Sequence, residues 1–491
     1  MAHADNIPTE LLLAVFLLLR DHHRTSWINV LLVCNRWYEV AVTAPILWTK
    51  IAIDERCEPD HFATLLQRSE ALNLDLSLDV HSTDFGPWLQ TLRAHAARIS
   101  SLFLRFSPDQ TADLQRRLEH ISPSISSLTL HCLASEAPKM LLNPAAFPSL
   151  HSLQATQILP HPTSQMPGVT VLVLNQIWHA AHWGGDVSQY DLLTTLDAFP
   201  ALESLILHDT LPPYMLDGDA TMVHVNLREL RIVELNETFE DIKLFLGHIT
   251  IPAEAHLTIL ARVGDAMWEP MQSGVLLGVL PEDHLTAVPM IRGTRALQLF
   301  AGHTEDGPLT LMSSPDENAL PPQAWTIIFP DCGETLPEAL PVALVELAAV
   351  INPSALLHLE LHMAPHVLFD LDWEAVLRPF SHLRKLCIGS VWTAENVVSM
   401  LYRHHDVLPQ LSELVLCLDE VTEDPTRGPL PPPGSIPPRL VERIVVNQAD
   451  HFPEPYFEGT VLGSMLKSTH YSFRHSSCSA CHVKSRVVSR Q

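Results

Sequence analysis

From residue 72 onward the chain repeats one hydrophobic phrase, a pair of leucine-like residues two apart, usually preceded by another apolar residue. Its clearest copies are LNLDLSL, ISSLFLRF, ISSLTLHC, LHSLQATQ, VTVLVLNQ, LESLILHD, LRELRIVE, LLHLELHM, LRKLCIGS and LSELVLCL. Alternation inside a phrase predicts a short strand, with Leu102 and Leu104 inward and their neighbours outward. Leu76, Leu102, Leu128 and Leu153 follow at intervals of 26, 26 and 25 residues. Leu205 to Leu230 is 25, Leu359 to Leu386 is 27 and Leu386 to Leu414 is 28. Between phrases the period turns helical, as in Leu114, Leu118 and Ile121, in Leu192, Leu196 and Phe199, and in Val397, Met400 and Leu401. One strand and one helix cannot close a core alone. Successive units are therefore expected to stack into a solenoid, an α/β repeat with a parallel sheet inside and helices outside.

The register is irregular. Leu153 to Leu172 is only 19 residues, and Leu172 to Leu205 is 33, where WHAAHWGGD is inserted. Between about 264 and 352 the phrase is degraded, with RALQLF and AWTIIF its best remnants. A proline-rich loop, residues 423–439, precedes a possible last strand, LVERIVV. The segment 466–491 holds Lys and Arg but no acid, with many Ser, and its composition predicts disorder. The expected organisation is a helical module at 1–53, the repeat array at 54–465 and the basic tail at 466–491.

The N-terminal stretch NIPTELLLAVFLLL follows a different rule. Beyond Glu10 it carries no charge until Arg20, and on a helix Leu11, Leu12, Leu13, Phe16, Leu17 and Leu18 point all round. The apolar run is too short for a membrane span, which needs roughly 20 residues, and it lacks the basic start of a secretory signal. What remains is a helix buried on both sides, against its own domain and against a partner. Pro8 and Glu10 suit its first turn. Thr25 or Ser26 is expected to cap a second helix through WINVLLVCNRWYEVAV, with Leu31, Cys34, Trp37 and Ala41 on one face and the Ala44-Pro45 step as its end. Trp48 and Ile51 close the unit. A piece under about 60 residues buries only ~60% of its unfolded surface, so physics predicts a docking module.

These residues resemble a family. Ile7-Pro8-Thr9-Glu10-Leu11-Leu12, Val15-Phe16, Leu19, Leu32-Val33-Cys34-Asn35-Arg36-Trp37 and Ala44-Pro45-Ile46-Leu47-Trp48 reproduce the order and spacing of an F-box, with Ile7 in place of the usual opening Leu. The match covers about a tenth of the chain. The intervals between phrases, in turn, fit the 20–29 residues of leucine-rich repeats. Together they resemble F-box proteins with C-terminal leucine-rich repeats, of the divergent type that fungi have in large families. The resemblance implies a small helical unit that binds the adaptor subunit of SCF-type ubiquitin ligases and through it the cullin scaffold. Carried onto this sequence, Pro8, Leu11, Leu12, Val15, Phe16, Val33, Cys34, Trp37 and Trp48 are the candidates for that interface or its support.

Composition narrows the alternatives. The 491 residues carry 30 Lys and Arg against 56 Asp and Glu, a net charge of −26, which argues against nucleic-acid binding. Eight scattered Cys predict reduced thiols and a cytoplasmic or nuclear setting, without a membrane segment. Cys478-Ser-Ala-Cys481-His482 spells a haem-attachment pattern but lies in the tail without further ligands. His179 and His182 share a helical turn without the intervening Glu of a zinc protease, and the adjacent pairs His22-His23 and His404-His405 point apart. No phosphate loop, nucleophile elbow or kinase signature occurs, and no metal, cofactor or catalytic residue is expected. The expected function is a non-catalytic substrate receptor that holds a protein target for ubiquitination. The alternative is a scaffold of the same build with no role in degradation. His208, Asp209, Glu234 and Trp392 lie just past strand phrases as candidate rim residues.

Overall fold

A computed structural model describes residues 7–22, 26–79, 86–121, 123–134, 137–177, 188–212, 223–262, 274–301, 308–314, 324–330, 336–362, 371–389, 391–418, 443–448, 471–477 and 484–490. The chain divides into two compact units, Met1–Leu230 and Arg231–Gln491. The division falls inside the span that the repeat pattern treats as one domain. The WHAAHWGGD insertion, the proline-rich loop and the Cys478-to-His482 motif lie outside the described residues.

In the first unit, helix α1 (Thr9–His22) starts the chain, a 3-10 turn covers Ser26–Leu32, and α2 (Asn35–Val42) follows. Seven parallel strands come next: β1 (Lys50–Asp54), β2 (Leu74–Asp79), β3 (Ile99–Phe106), β4 (Ser127–Cys132), β5 (Ser152–Thr156), β6 (Val171–Asn175) and β7 (Ser204–His208). The pairing register follows the repeated leucine. Ile51 faces Leu76, which faces Leu102, then Leu128, Leu153, Leu172 and Leu205. The six leucines are fully buried. Because side chains alternate with period two, a one-residue slip would turn the whole row to solvent, so burial of this row fixes the register.

Helices α3 (Pro59–Arg68), α4 (Gly86–Arg93), α5 (Thr111–Leu118) and α6 (Gln189–Asp197) cover the leucine side. Phe62, Leu66, Leu92, Leu114, Leu118, Leu192 and Leu196 are buried with the strand leucines. Local chemistry sets the helix ends. Ser188 caps α6 reciprocally with Asp191, whose carboxylate accepts the Ser188 N–H at 2.9 Å while the Ser188 Oγ accepts the Asp191 N–H at 3.2 Å. Arg98 closes α3 by donating to the Leu66 carbonyl at 2.6 Å and the Ser69 hydroxyl at 2.9 Å, and also to the Glu70 carbonyl. The short interval from Leu153 to Leu172 arises because no α-helix separates β5 from β6; buried Leu159, Met166 and Val169 fill that layer instead.

The second unit holds β8 (Ile232–Thr238), β9 (His256–Arg262), β10 (Ala296–Ala301), β11 (Leu309–Ser314), β12 (Trp325–Phe329), β13 (His358–His362), β14 (Lys385–Ile388), β15 (Glu413–Leu418) and β16 (Arg443–Gln448). The interval drawn from Leu205 to Leu230 needs correction. Leu230 is the pre-strand residue, its N–H bonded to the Leu227 carbonyl as that of Leu202 is to Phe199. Val233, three positions on, is the strand residue, opposite Leu257. The interval is therefore 28 residues, from 205 to 233.

The degraded stretch departs from an all-parallel sheet. Strand β12 joins β9 in parallel, β11 runs antiparallel to both β12 and β10, and β10 then pairs in parallel with β13. An inserted antiparallel meander thus interrupts the strand–helix repeat, and its turns give no repeat spacing. From β10 onward the parallel pairs resume a register of Leu297, Leu359, Leu386, Leu414 and Ile444. Helices α7 (Phe239–Gly247), α8 (Leu276–Val279), α9 (His284–Ala287), α10 (Leu336–Val350), α11 (Trp373–Leu377) and α12 (Val391–Arg403) complete the unit. Glu346 of α10 accepts the N–H groups of Val275 at 3.0 Å and Leu276 at 2.7 Å, holding the start of α8.

Strands β17 (Tyr471–Ser477) and β18 (Lys484–Arg490) form an antiparallel hairpin, and β18 also pairs antiparallel with β16. Alternation of Tyr471 and Phe473, and the Val487-Val488 pair, gives these segments the β propensity that net composition hides.

Candidate functional site

Helix α1 begins where the Pro8 carbonyl accepts the N–H groups of Leu11 and Leu12, at 3.1 and 3.0 Å. Its sequence splits into two stripes. Leu12 and Phe16 are buried, at 1% and 0% exposure, while Leu11, Val15 and Leu18 stand 57%, 44% and 61% exposed. Positions 11, 15 and 18 share one helical face, so the bare leucines form a stripe rather than scattered points.

The second helix expected from Trp27 to Val42 is broken. The 3-10 turn ends at Leu32, and Cys34, in extended backbone with φ −163°, is the N-cap of α2 without a side-chain cap bond. The break turns Leu32 and Val33 outward, 84% and 55% exposed. Tyr38, Ile28 and Ile46 are also exposed.

Beneath this surface lies an aromatic core. The Phe16 and Trp37 rings pack tilted at 5.2 Å, and Trp27 meets Trp48 edge-on at 5.1 Å. The Trp48 indole donates to the Ala41 carbonyl at 2.9 Å, and the Arg68 guanidinium lies 4.6 Å over its ring. Buried Arg20, at the C-terminal end of α1, donates to the Ile46 carbonyl at 2.6 Å, and Asp21 bonds Lys50 of β1 at 2.9 Å. Those bonds clamp α1 to the start of the sheet, and Arg36 of α2 donates to the Ile7 carbonyl ahead of α1. Lys50 comes first among the sources of the lowered Asp21 pKa, so its carboxylate stays charged in that clamp.

Residues 4–54 match the F-box-like family. No curated protein matches the chain. The F-box-like segment includes β1, so the module and the first strand of the sheet share residues.

The candidate residues of this domain divide by burial. Pro8, Leu11, Val15 and Val33 are exposed; Leu12, Phe16 and Trp48 are core; Cys34 and Trp37 are half-buried. The Trp37 indole nitrogen is buried and has no hydrogen-bond partner among the described residues. Sequence reasoning omitted Leu18, Leu32, Ile28, Tyr38 and Ile46 as exposed apolar residues. The spacing of Leu18 from Leu11 and Val15 could have found it. Leu32 could not be found while a continuous helix was assumed.

Among the described residues no group of three or more His, Cys, Asp or Glu is placed to hold a metal ion, and no helix is long and apolar enough to cross a membrane. His179 and His182 lie outside the described residues, as does the side chain of Trp392. His208 ends β7 and Asp209 follows it, both half-buried, and Glu234 lies half-buried on β8 of the second unit. His404 bonds Glu374 at 3.3 Å rather than pairing with His405. One further polar cluster sits on β13, where His358 and His362 approach the two oxygens of Glu360 at 3.0 and 3.7 Å.

Proposed function

We propose that the chain is the substrate receptor of an SCF-type ubiquitin ligase. The F-box-like domain docks the adaptor, the rest of the chain holds a protein target, and the chain itself makes no bond. The observation that carries this reading is the apolar surface of Leu11, Val15, Leu18, Leu32 and Val33 on a domain matching the F-box-like family. Leaving such side chains in water forgoes roughly 1.5–3 kcal/mol for each one that could be buried, so a partner that covers them gains a strong apolar driving force. Leu12, Phe16, Trp37 and Trp48 support the surface from below.

The remainder reads as an irregular leucine-rich-repeat array. The in-register leucines from Leu76 to Leu205 support this, because stacked repeats place equivalent residues side by side. The inserted meander marks its irregular part. Proximity is the contribution to ubiquitination: a target held beside the conjugating enzyme meets it at a high effective concentration. The setting is cytoplasmic or nuclear, without nucleic acid or membrane as partner.

Reconstitution tests the reading. The full chain, mixed with adaptor and cullin, should co-elute with both. Failure to bind the adaptor contradicts the receptor. Adaptor binding with cellular target levels that are unchanged when the chain is removed would favour the scaffold alternative.

A further inference from the structure

Positive charge in this chain is carried mostly by guanidinium. The 491 residues hold 24 Arg but only 6 Lys, at positions 50, 139, 243, 385, 467 and 484, although Lys is among the commonest residues of soluble domains. Lys50 is the single lysine of residues 1–138, and none occurs from 244 to 384. Part of the arginine is demanded by geometry. Arg20 and Arg98 each reach several oxygens at once, which needs a planar fork. Other positions make no such demand. Arg93, Arg228 and Arg403 are exposed, and Arg116, with its side chain 76% exposed, meets Asp113 one helical turn away at 3.3 Å. Lysine serves equally well in pairs of that kind, so folding alone does not call for arginine there.

The lysines that remain offer few open amines. Lys50 is tied to Asp21 and Lys139 to Asp191, both at 2.9 Å. Lys243 on α7 and Lys385 on β14 are half-buried. The difference between the two cations matters because ubiquitin transfer consumes an amine. A deprotonated lysine nitrogen attacks the thioester carbonyl that joins ubiquitin to the conjugating enzyme. The C–N bond of an amide forms, the C–S bond breaks, the thiolate stays with the enzyme, and the spare proton of the amine goes to solvent. Guanidinium keeps its proton in proteins and cannot attack.

We propose that arginine at exposed positions such as 93, 116, 228 and 403 decides where ubiquitin goes, sparing this chain so that the target is modified instead of its holder. A receptor meets the loaded enzyme at the same high effective concentration as the target it presents. Its own surface amines therefore compete with those of the target, and arginine removes the competitor while keeping the charge. This protection rests on the receptor reading, because only a chain held beside the loaded enzyme needs it.

Single-turnover discharge of a ubiquitin-loaded conjugating enzyme is the test, with the full chain assembled into the complete ligase and free lysine as the acceptor probe. Wild type should stay mostly unmodified while free lysine takes up ubiquitin. Arg93→Lys, Arg116→Lys, Arg228→Lys and Arg403→Lys combined keep every charge, and should raise ubiquitin on the chain at least about threefold at equal adaptor affinity. Extensive modification of wild type, or no gain in the four-lysine variant, overturns the proposal and leaves the bias a matter of composition only. The two failures are separable. A ligase that assembles and feeds free lysine, yet modifies both forms alike, loses this protection alone, whereas a chain that ignores the adaptor loses the receptor reading and the protection with it.

Discussion

The F-box-like module and the sheet of the first unit solve the same problem in opposite ways. In the sheet, alternation sends Leu102, Leu104 and their counterparts into the core and leaves Ser, Thr, Asn and His, with Phe103, Val171, Val173 and Ile206, on the other side. In the module, α1 buries Leu12 and Phe16 yet leaves Leu11, Val15 and Leu18 in solvent. Isolated exposed leucines are ordinary on protein surfaces. A helical stripe of them, on a domain that also exposes Leu32 and Val33, is the kind of apolar surface that marks an interaction site. The sheet face mixes polar residues with half-buried Phe103, Val171, Val173 and Ile206 and shows no such stripe. On the proposed reading, the module is where the adaptor docks.

The sharpest contrast comes from removing core rather than surface. Phe16→Ala should destabilise the first unit by about 3–5 kcal/mol, because it empties the packing against Trp37; chemical denaturation would show it. An unchanged midpoint would mean that the two stripes of α1 are misassigned. Next in size, Leu11→Asp with Val15→Asp should weaken adaptor binding by about 2 kcal/mol or more, roughly thirtyfold, with the denaturation midpoint nearly unmoved.

Glu360 gives an intermediate effect in the second unit. Burial pushes its carboxyl up, but His358 and His362 outweigh burial and hold it well below the usual carboxylate range. A depressed folded pKa contributes stability that is full above the ordinary value of 4.5 and fades as the pH falls below it. Glu360→Gln should cost about 1–3 kcal/mol at neutral pH and flatten the loss of stability on acidification. A variant as acid-sensitive as wild type would contradict the cluster. Smallest of all, Arg105→Met on the open face breaks only the half-exposed pair with Asp79, so its midpoint should shift by about 0.5 kcal/mol or less. A larger loss would show that the open face carries structure.

Much of this was legible in the sequence because two periods carried it. The spacing from Leu76 to Leu153 matched the pairing of β2 to β5 residue for residue. Where spacing failed, the cause is physical. At Leu230 the phrase repeats one buried residue before the strand as well as those within it, so the alignment slipped by three. The meander of β10 to β12 follows sheet geometry without a crossover helix, and leaves no repeat to read. In the module the motif located the domain, but periodicity assumed one helix where Cys34 breaks it. Composition also could not separate Leu11 from Leu12: the pair is adjacent and identical, and only packing makes one surface and the other core. A Leu12→Asp substitution therefore tests folding rather than docking.

Titration of the purified full chain with adaptor, wild type against Leu11→Asp/Val15→Asp, tests the central claim most directly. The account predicts tight binding by wild type, at least about thirtyfold weaker binding by the double variant, and matching circular dichroism spectra. Equal affinity of the two folded proteins, or no binding by wild type, would contradict the assignment of the exposed α1 stripe as the docking surface.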